Sequence, residues 1–234
     1  MAKDLAIVLN HGSMNSAVAS ALAGQKHRTV MLFAAGDVEA KERPRSRAAY
    51  EQQVAHFKPY RDHTVALPQL AVPGASRQAT TTSDPRYPTP AGPKLLDLLP
   101  LLAYAARYAA HYRATAIYLG LRIGSASRSG EKSVGPTGSH TDELAQATEF
   151  TQIWNEMLEH PCGLPDLIVE TPLLELDPWQ VVDVGFQTLV PFERTWSCVE
   201  ETGDPCWACP GCRSREAAFQ QAGKPDPLRA VKKK

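Results

Sequence analysis

The chain has 234 residues, a length that suits one α/β domain, or a domain with a small appendage, without disulfides. Its 25 Lys and Arg balance 25 Asp and Glu, which argues against coating nucleic acid or an anionic membrane by bulk charge. A local basic patch at Arg43, Arg45 and Arg47 stays open. No segment approaches the ~20 apolar residues that span a bilayer, and no signal-peptide core is present, so we expect a cytoplasmic protein.

Short apolar segments alternate with helical segments along the chain. Residues 5–9 indicate a buried strand, because they are apolar and end in a polar turn that contains glycine. Residues 17–23 then predict a helix that Gly24 closes. Later strands are predicted at 29–33, 63–67, 116–120 and 167–171, and later helices at 47–57, 95–112, 142–158 and 179–189.

This alternation predicts an α/β fold, a doubly wound parallel sheet of about five strands with helices on both faces. In such sheets ligands bind beyond the carboxyl ends of the strands, so residues 10–16 after the first strand are the expected ligand site. A tight strand-to-helix connection without a ligand is the alternative. Two polar loops, 73–93 and 125–139, are long enough to be functional or disordered.

Four of the five cysteines lie in one C-terminal run, at Cys198, Cys206, Cys209 and Cys212. In a cytoplasmic protein such clusters indicate metal binding or catalysis before disulfides. Two overlapping C-x-x-C steps with a fourth cysteine upstream offer four thiolates, the tetrahedral set that a structural zinc ion prefers. An iron–sulfur cluster and a redox C-x-x-C pair are the alternatives. Cys162 lies outside the run, as an ordinary loop or core cysteine.

The cysteine run is part of a longer pattern. Residues 193–198 read ERTWSC, residues 206–213 read CWACPGCR, residues 217–223 read AAFQQAG, and TPLLEL precedes them at 171–176. Together they resemble the C-terminus of the 7-cyano-7-deazaguanine synthase family of PP-loop ATPases. The resemblance implies an adenine-nucleotide α-hydrolase-like fold, a homodimer, a cysteine-bound zinc ion, and ATP with Mg²⁺.

Members of that family adenylate the carboxylate of 7-carboxy-7-deazaguanine, pass it to ammonia, and activate it again to reach the nitrile. The resemblance also divides the chain: residues 1–190 as a PP-loop ATPase-like α/β domain, 191–223 as the zinc-binding segment, and 224–234 as a flexible tail. The expected partners are a deazapurine-like small molecule and a second copy of the chain, with neither membrane nor nucleic acid.

The chain departs from the family at its SGGxDS phosphate loop. The aligned residues are His11-Gly12-Ser13-Met14-Asn15-Ser16, so by resemblance His11, Gly12, Ser13, Asn15 and Ser16 form the nucleotide-binding loop. Ser13 replaces a glycine that lets backbone N–H groups close on phosphate. Asn15 replaces an aspartate and lacks its charge. These changes indicate altered or lost catalysis.

Other ligand-facing positions also differ. Pro178 stands where the family has a lysine, and the family's VPxRN and YPDCR runs have no clear counterpart. The candidate catalytic residues are His11, Asn15 and Lys94. His11 suits a phosphate donor or an acid–base group, or else a polar turn residue. Lys94 and Arg122 are phosphate partners or surface charges.

Two functions of different classes follow. The first is a diverged enzyme that activates a 7-deazapurine or related carboxylate with ATP and passes it to an amine. The second is a catalytically impaired relative that serves as a binding or assembly scaffold. A structural metal is needed in both and does not discriminate between them.

Overall fold

Five parallel strands form the centre of the fold, as the alternation predicted. The computed structural model describes residues 3–36, 44–67, 95–123 and 140–230. The strands are β1 (Leu5–Leu9), β2 (Arg28–Gly36), β3 (Arg61–Leu67), β4 (Ala116–Leu119) and β5 (Ile168–Glu170). The helices are α1 (Met14–Lys26), α2 (Pro44–Phe57), α3 (Leu95–Tyr112), α4 (His140–Glu159), α5 (Pro178–Gln187), α6 (Pro210–Gln221) and α7 (Pro227–Ala230), with a 3-10 turn at Phe192–Arg194.

The strand order is β3-β2-β1-β4-β5, and each neighbouring pair is parallel. The central strand is therefore β1. The strands β2 and β3 lie on one side of it, and β4 and β5 lie on the other. The register of β1 places Leu9 beside Leu32 of β2 and Leu119 of β4. The turn after β1 thus lies at the switch point of the sheet, where ligands bind in open α/β folds.

Side chains of β1 alternate between two apolar layers. Ile7 and Leu9 pack into a cluster with Leu102 of α3 and Trp154 of α4. Val8 lies in another cluster, together with residues of α1 and α2. Helices therefore cover both faces of the sheet, which confirms the doubly wound architecture.

The predicted boundaries hold to within a few residues, with one correction. Gly24 does not close the first helix, because α1 continues to Lys26 and ends where the His27 N–H donates to the Ala23 carbonyl at 2.8 Å. Gly24 is exposed, and a Cβ there would meet no atom within 4 Å, so nothing at this position forces the helix to stop. The predicted helix 95–112 matches α3 and keeps Pro100 inside it.

Several expectations fall on residues that the structure does not describe. Both long polar loops, 73–93 and 125–139, lie outside the described ranges, as do Arg43 and Lys94. Within those ranges, no helix is both long and apolar enough to cross a membrane.

One buried hydroxyl in the sheet leads to a stability prediction. Tyr118 on β4 is buried, and neither its hydroxyl nor the His27 Nδ1 atom has a hydrogen-bond partner among the described residues. Burial raises the pKa of Tyr118. An unpaired buried hydroxyl costs about 1 kcal/mol or more, so Tyr118→Phe should raise the free energy of unfolding by ~1 kcal/mol in urea denaturation.

The matched control is Tyr50→Phe. The Tyr50 hydroxyl is also buried, but it donates to the Met31 carbonyl at 3.2 Å. Its removal should lower stability, because the carbonyl loses that donor. If Tyr118→Phe and Tyr50→Phe lowered the free energy of unfolding equally, the assignment of the Tyr118 hydroxyl as unpaired would be contradicted.

Candidate metal centre and the loop after the first strand

The four cysteines of the C-terminal run come together in one cluster. Their Sγ atoms all lie within 4.8 Å of one another. Cys209 is the N-cap of α6 and Cys212 lies in its first turn, while Cys198 and Cys206 come from the preceding segment. Cys198, Cys209 and Cys212 are buried, and Cys206 is half-buried.

Backbone donors surround these sulfur atoms. Cys198 Sγ accepts from the N–H groups of Glu200 and Cys206, at 3.4 and 3.3 Å. Cys206 Sγ accepts from Cys209 N–H at 3.3 Å, and Cys209 Sγ accepts from Cys212 N–H at 3.4 Å. Hydrogen bonds to a thiolate favour its charged form, so the backbone prepares this cluster to hold negative sulfur.

The pKa values of the cysteine thiols shift in different directions within the cluster. Burial acts to raise the pKa of Cys206, but the N–H groups of Ala208 and Cys209 and the neighbouring thiols outweigh it and lower that pKa to about 7. Burial raises the pKa values of Cys198 and Cys212. Four thiols this close resist ionising together unless a cation neutralises them, which is the chemistry of a metal site.

Close packing at α6 completes the cluster. A Cβ on Gly211 would lie 2.0 Å from the Ser197 carbonyl oxygen, so only glycine fits between the two cysteine segments. The Cys209–Cys212 step does open a helix, as redox C-x-x-C pairs do, but an irregular segment precedes it, where those pairs follow a strand. Cys162 is exposed and lies outside the cluster.

The loop after β1, residues 10–13, is defined by internal hydrogen bonds. Gly12 has φ of +83°, and its N–H donates to Asn10 Oδ1 at 2.7 Å. Ser13 caps α1, because its Oγ accepts from Ser16 N–H at 3.3 Å. One N–H group of the loop, that of Gly12, and one of the first turn of α1, that of Ser16, therefore already have acceptors within the chain. We call residues 10–13 the β1–α1 loop.

Asn10, within this loop, and Gln53, which the sequence did not indicate, hold the loop in place. Asn10 Nδ2 donates to Gln53 Oε1 and to Ser20 Oγ, both at 2.9 Å. Gln53 is fully buried on α2, and its Nε2 donates to the Gly12 carbonyl at 3.0 Å. The only sequence signal for Gln53 was a polar residue at a helical position that faces the core. No local sequence pattern connects that position to the loop.

The remaining candidates lie around the same edge of the sheet or outside the described residues. His11 is exposed, Asn15 is half-buried and Ser16 is buried. Arg122 follows β4, where burial lowers its pKa against the opposing effect of the Asp177 carboxylate. The structure thus brings His11, Gly12, Ser13, Asn15 and Ser16 together at the end of β1 and the start of α1, and Lys94 lies outside the described residues.

Pro178, which stands at the family's lysine position, is the first residue of α5. Proline suits that position, because the first N–H of a helix has no partner inside the helix. The chain therefore carries no cation at this point.

Comparison with known proteins finds a family match for the C-terminal part of the chain. Residues 138–223 match the family model of the queuosine biosynthesis protein QueC. The 7-cyano-7-deazaguanine synthase of Chloroherpeton thalassium is 40% identical over 81 residues, which cover 34% of this chain and 35% of that protein. The synthase of Chlorobium chlorochromatii is 42% identical over 81 residues, which cover 34% of this chain and 35% of that protein.

A solved structure, the U34-tRNA thiolase NcsA from Methanococcus maripaludis with its [4Fe-4S] cluster, aligns over 95% of this chain and 68% of its own. Its TM-score is 0.48 at 11% identity, a likeness too low to assign a fold or a cofactor.

The matched segment begins just before α4 and ends just after α6, so it contains β5, α5 and all four clustered cysteines. The match spans about a third of the length of the curated relatives. The resemblance that the cysteine pattern indicated is therefore confirmed over residues 138–223, which are similar in sequence to the queuosine biosynthesis protein QueC family.

Proposed function

We propose that the four cysteines bind one structural zinc ion. Zn–S bonds of about 2.3 Å set tetrahedral thiolates about 3.8 Å apart. Cys198 Sγ lies 3.4 Å from Cys206 Sγ and 3.9 Å from Cys209 Sγ, close to that spacing. An iron–sulfur cluster places several iron and sulfide atoms between its thiolates and needs them further apart. Four protein ligands fill a tetrahedron and leave no open position, so the ion would stabilise the fold and take no part in chemistry.

For the whole chain, the proposal is a diverged protein of the 7-cyano-7-deazaguanine synthase type. The observation that carries it is the QueC match over residues 138–223, which includes the metal cluster. The proposed reaction transfers the adenylyl group of ATP to a 7-deazapurine or related carboxylate: the carboxylate attacks the α-phosphorus, and pyrophosphate leaves. Ammonia then attacks the acyl adenylate, AMP leaves, and an amide forms. A second ATP activates the amide oxygen in the same way, and loss of AMP gives the nitrile.

The position of the β1–α1 loop supports this proposal. It lies at the switch point of the sheet and at the N-terminus of α1, where helix N–H groups and the helix dipole favour a phosphate. His11, Gly12, Ser13, Asn15 and Ser16 are the residues that would face the nucleotide there.

A cleft at the edge of the sheet offers space for the second reactant. It measures about 560 Å³ and lies between α4 and the segment that follows β5. Asn155 and Thr171 are among its polar lining residues, and Pro172 and Leu174 among its apolar ones. A mixed lining of this kind suits a flat heterocycle with hydrogen-bonding edges.

The scaffold alternative is favoured by a specific feature of the same loop. The N–H groups of Gly12 and Ser16 already bond to Asn10 Oδ1 and Ser13 Oγ. No acidic residue stands in the first turn of α1 to hold Mg²⁺. Both features weaken the loop as a site for Mg²⁺-bound ATP and favour a scaffold function.

The experiment that separates the two functions measures AMP and pyrophosphate. Purified protein with ATP, Mg²⁺, ammonium and 7-carboxy-7-deazaguanine is expected to release both products, in amounts that depend on the carboxylate. The control omits the carboxylate, which corrects for contaminating ATPases. No carboxylate-dependent release from folded, metal-loaded protein would reject the synthase proposal and favour the scaffold.

A further inference from the structure

We propose that the segment between the cysteine ligands positions the β1–α1 loop, with Glu201 as the positioning residue. We call residues 198–212 the cysteine loop. That the β1–α1 loop receives a nucleotide rests on the proposed function, but the mechanical connection does not. The connection runs in three steps, from the cysteine loop to α2, from α2 to Gly12, and from the residues before Cys198 to Gly12.

The first step is the contact of Glu201 with the start of α2. Glu201 Oε2 accepts from the backbone N–H groups of Arg45 and Ser46, at 2.8 and 3.0 Å. Its Oε1 accepts from Ser46 Oγ at 2.6 Å. One carboxylate, 155 residues away along the chain from Ser46, therefore provides the acceptor for two backbone N–H groups in the first turn of this helix. Helix N-termini favour such an anionic partner, since their first N–H groups have no acceptor inside the helix.

The second step is the fit of α2 against Gly12. A Cβ on Gly12 would lie 2.2 Å from the Ser46 carbonyl oxygen, so the first turn of α2 rests directly on the backbone of the β1–α1 loop. Gln53, two turns further along α2, donates to the Gly12 carbonyl at 3.0 Å. A shift of the start of α2 would thus be transmitted to Gly12.

The third step reaches Gly12 from the chain that leads into Cys198. Trp196 N–H donates to the Gly12 carbonyl at 2.9 Å, and Gln53 Nε2 also donates to the Arg194 carbonyl at 3.0 Å. The Arg45 guanidinium lies 5.7 Å from the Trp196 ring, which adds a further contact between α2 and this segment. Gly12 is therefore held on two sides by elements that the cysteine loop anchors.

The metal ligands at Cys198 and Cys206 fix both ends of the segment that carries Glu201. Within it, Pro205 is buried, but Val199, Glu200, Thr202, Gly203 and Asp204 are exposed, so little apolar packing fixes its path. A metal that holds Cys198 and Cys206 would then set where Glu201 meets α2. This makes occupancy of the metal site a determinant of order in the β1–α1 loop, some distance from the metal itself.

Hydrogen–deuterium exchange of metal-loaded wild type and Glu201→Gln tests the proposal without nucleotide or substrate. Glutamine is similar in size but loses one acceptor and the charge. The amides of Arg45 and Ser46 are expected to exchange at least ~10 times faster in Glu201→Gln, and peptides covering residues 10–13 several times faster. The matched control is Glu200→Gln, an exposed neighbour whose backbone carbonyl accepts from Trp196 Nε1–H and is unchanged by the substitution.

Metal content is measured on the same samples. Retained metal with faster exchange at both places supports the proposal. Faster exchange at α2 alone, or at neither place, overturns it. Loss of the metal from Glu201→Gln also overturns it, because Glu201 would then act on the metal site and not on α2. Since no outcome depends on ATP, failure of the synthase proposal leaves this test intact.

Discussion

Replacing Cys209 by serine is expected to abolish metal binding and to lower the melting temperature by roughly 10 °C or more. Cys209 is fully buried and caps α6, and its Sγ lies 3.9 Å from Cys198 Sγ. Binding free energy at a site that the unfolded chain lacks adds to the folding free energy. A loss of several kcal/mol lowers the melting temperature of a chain this long by about 2–4 °C per kcal/mol.

Metal analysis and thermal unfolding test this expectation on protein produced without added metal. Wild type should contain about one zinc per chain, and Cys209→Ser close to none. The matched control is Cys162→Ser, since Cys162 is exposed and lies outside the cluster. It should keep both the metal and the melting temperature. Wild-type protein without metal, or with the visible absorption of an iron–sulfur cluster, would refute the zinc assignment.

The sheet was predictable because its signals are local. Each strand is a short apolar run, and each connection is long enough for a helical crossover, which parallel pairing requires. The end of α1 was not predictable, because Gly24 costs a helix only about 1 kcal/mol relative to alanine, and that cost does not by itself stop the helix. Helix α1 ends at Lys26, where the His27 N–H donates to the Ala23 carbonyl, and β2 begins at Arg28.

The metal cluster was also predictable, because its four cysteines lie within one short run and follow the C-x-x-C spacing. The supports of the β1–α1 loop were not, since Asn10 pairs with Gln53 across 43 positions and Ser46 with Glu201 across 155. Such pairs follow from the packing of α2 against the β1–α1 loop and against the segment that carries Glu201. The sequence identified Ser13 and Asn15 as departures, but the capping bond of Ser13 became apparent only from its geometry.

Reversion of the β1–α1 loop by Ser13→Gly together with Asn15→Asp is expected to strengthen binding of an ATP analogue with Mg²⁺ at least ~10-fold, or about 1.4 kcal/mol. Glycine at position 13 removes the hydroxyl that occupies Ser16 N–H and frees that donor for phosphate. As an N-cap, glycine costs only a few tenths of a kcal/mol relative to serine. Aspartate at position 15 adds an oxygen ligand that Mg²⁺ favours. Titration calorimetry measures the change.

Two controls separate the causes of any gain. Ser13→Ala removes the hydroxyl but keeps a Cβ, so it tests whether the freed N–H alone suffices. Asn15→Asp alone tests the carboxylate, and without Mg²⁺ it should weaken binding, because its charge then repels the phosphates. Tight binding by the unmodified protein that His11→Ala abolishes would show that the loop has been rewritten for nucleotide, contrary to this prediction. No binding before or after the double reversion would instead favour the scaffold function, since restoring the family residues would then not restore the site.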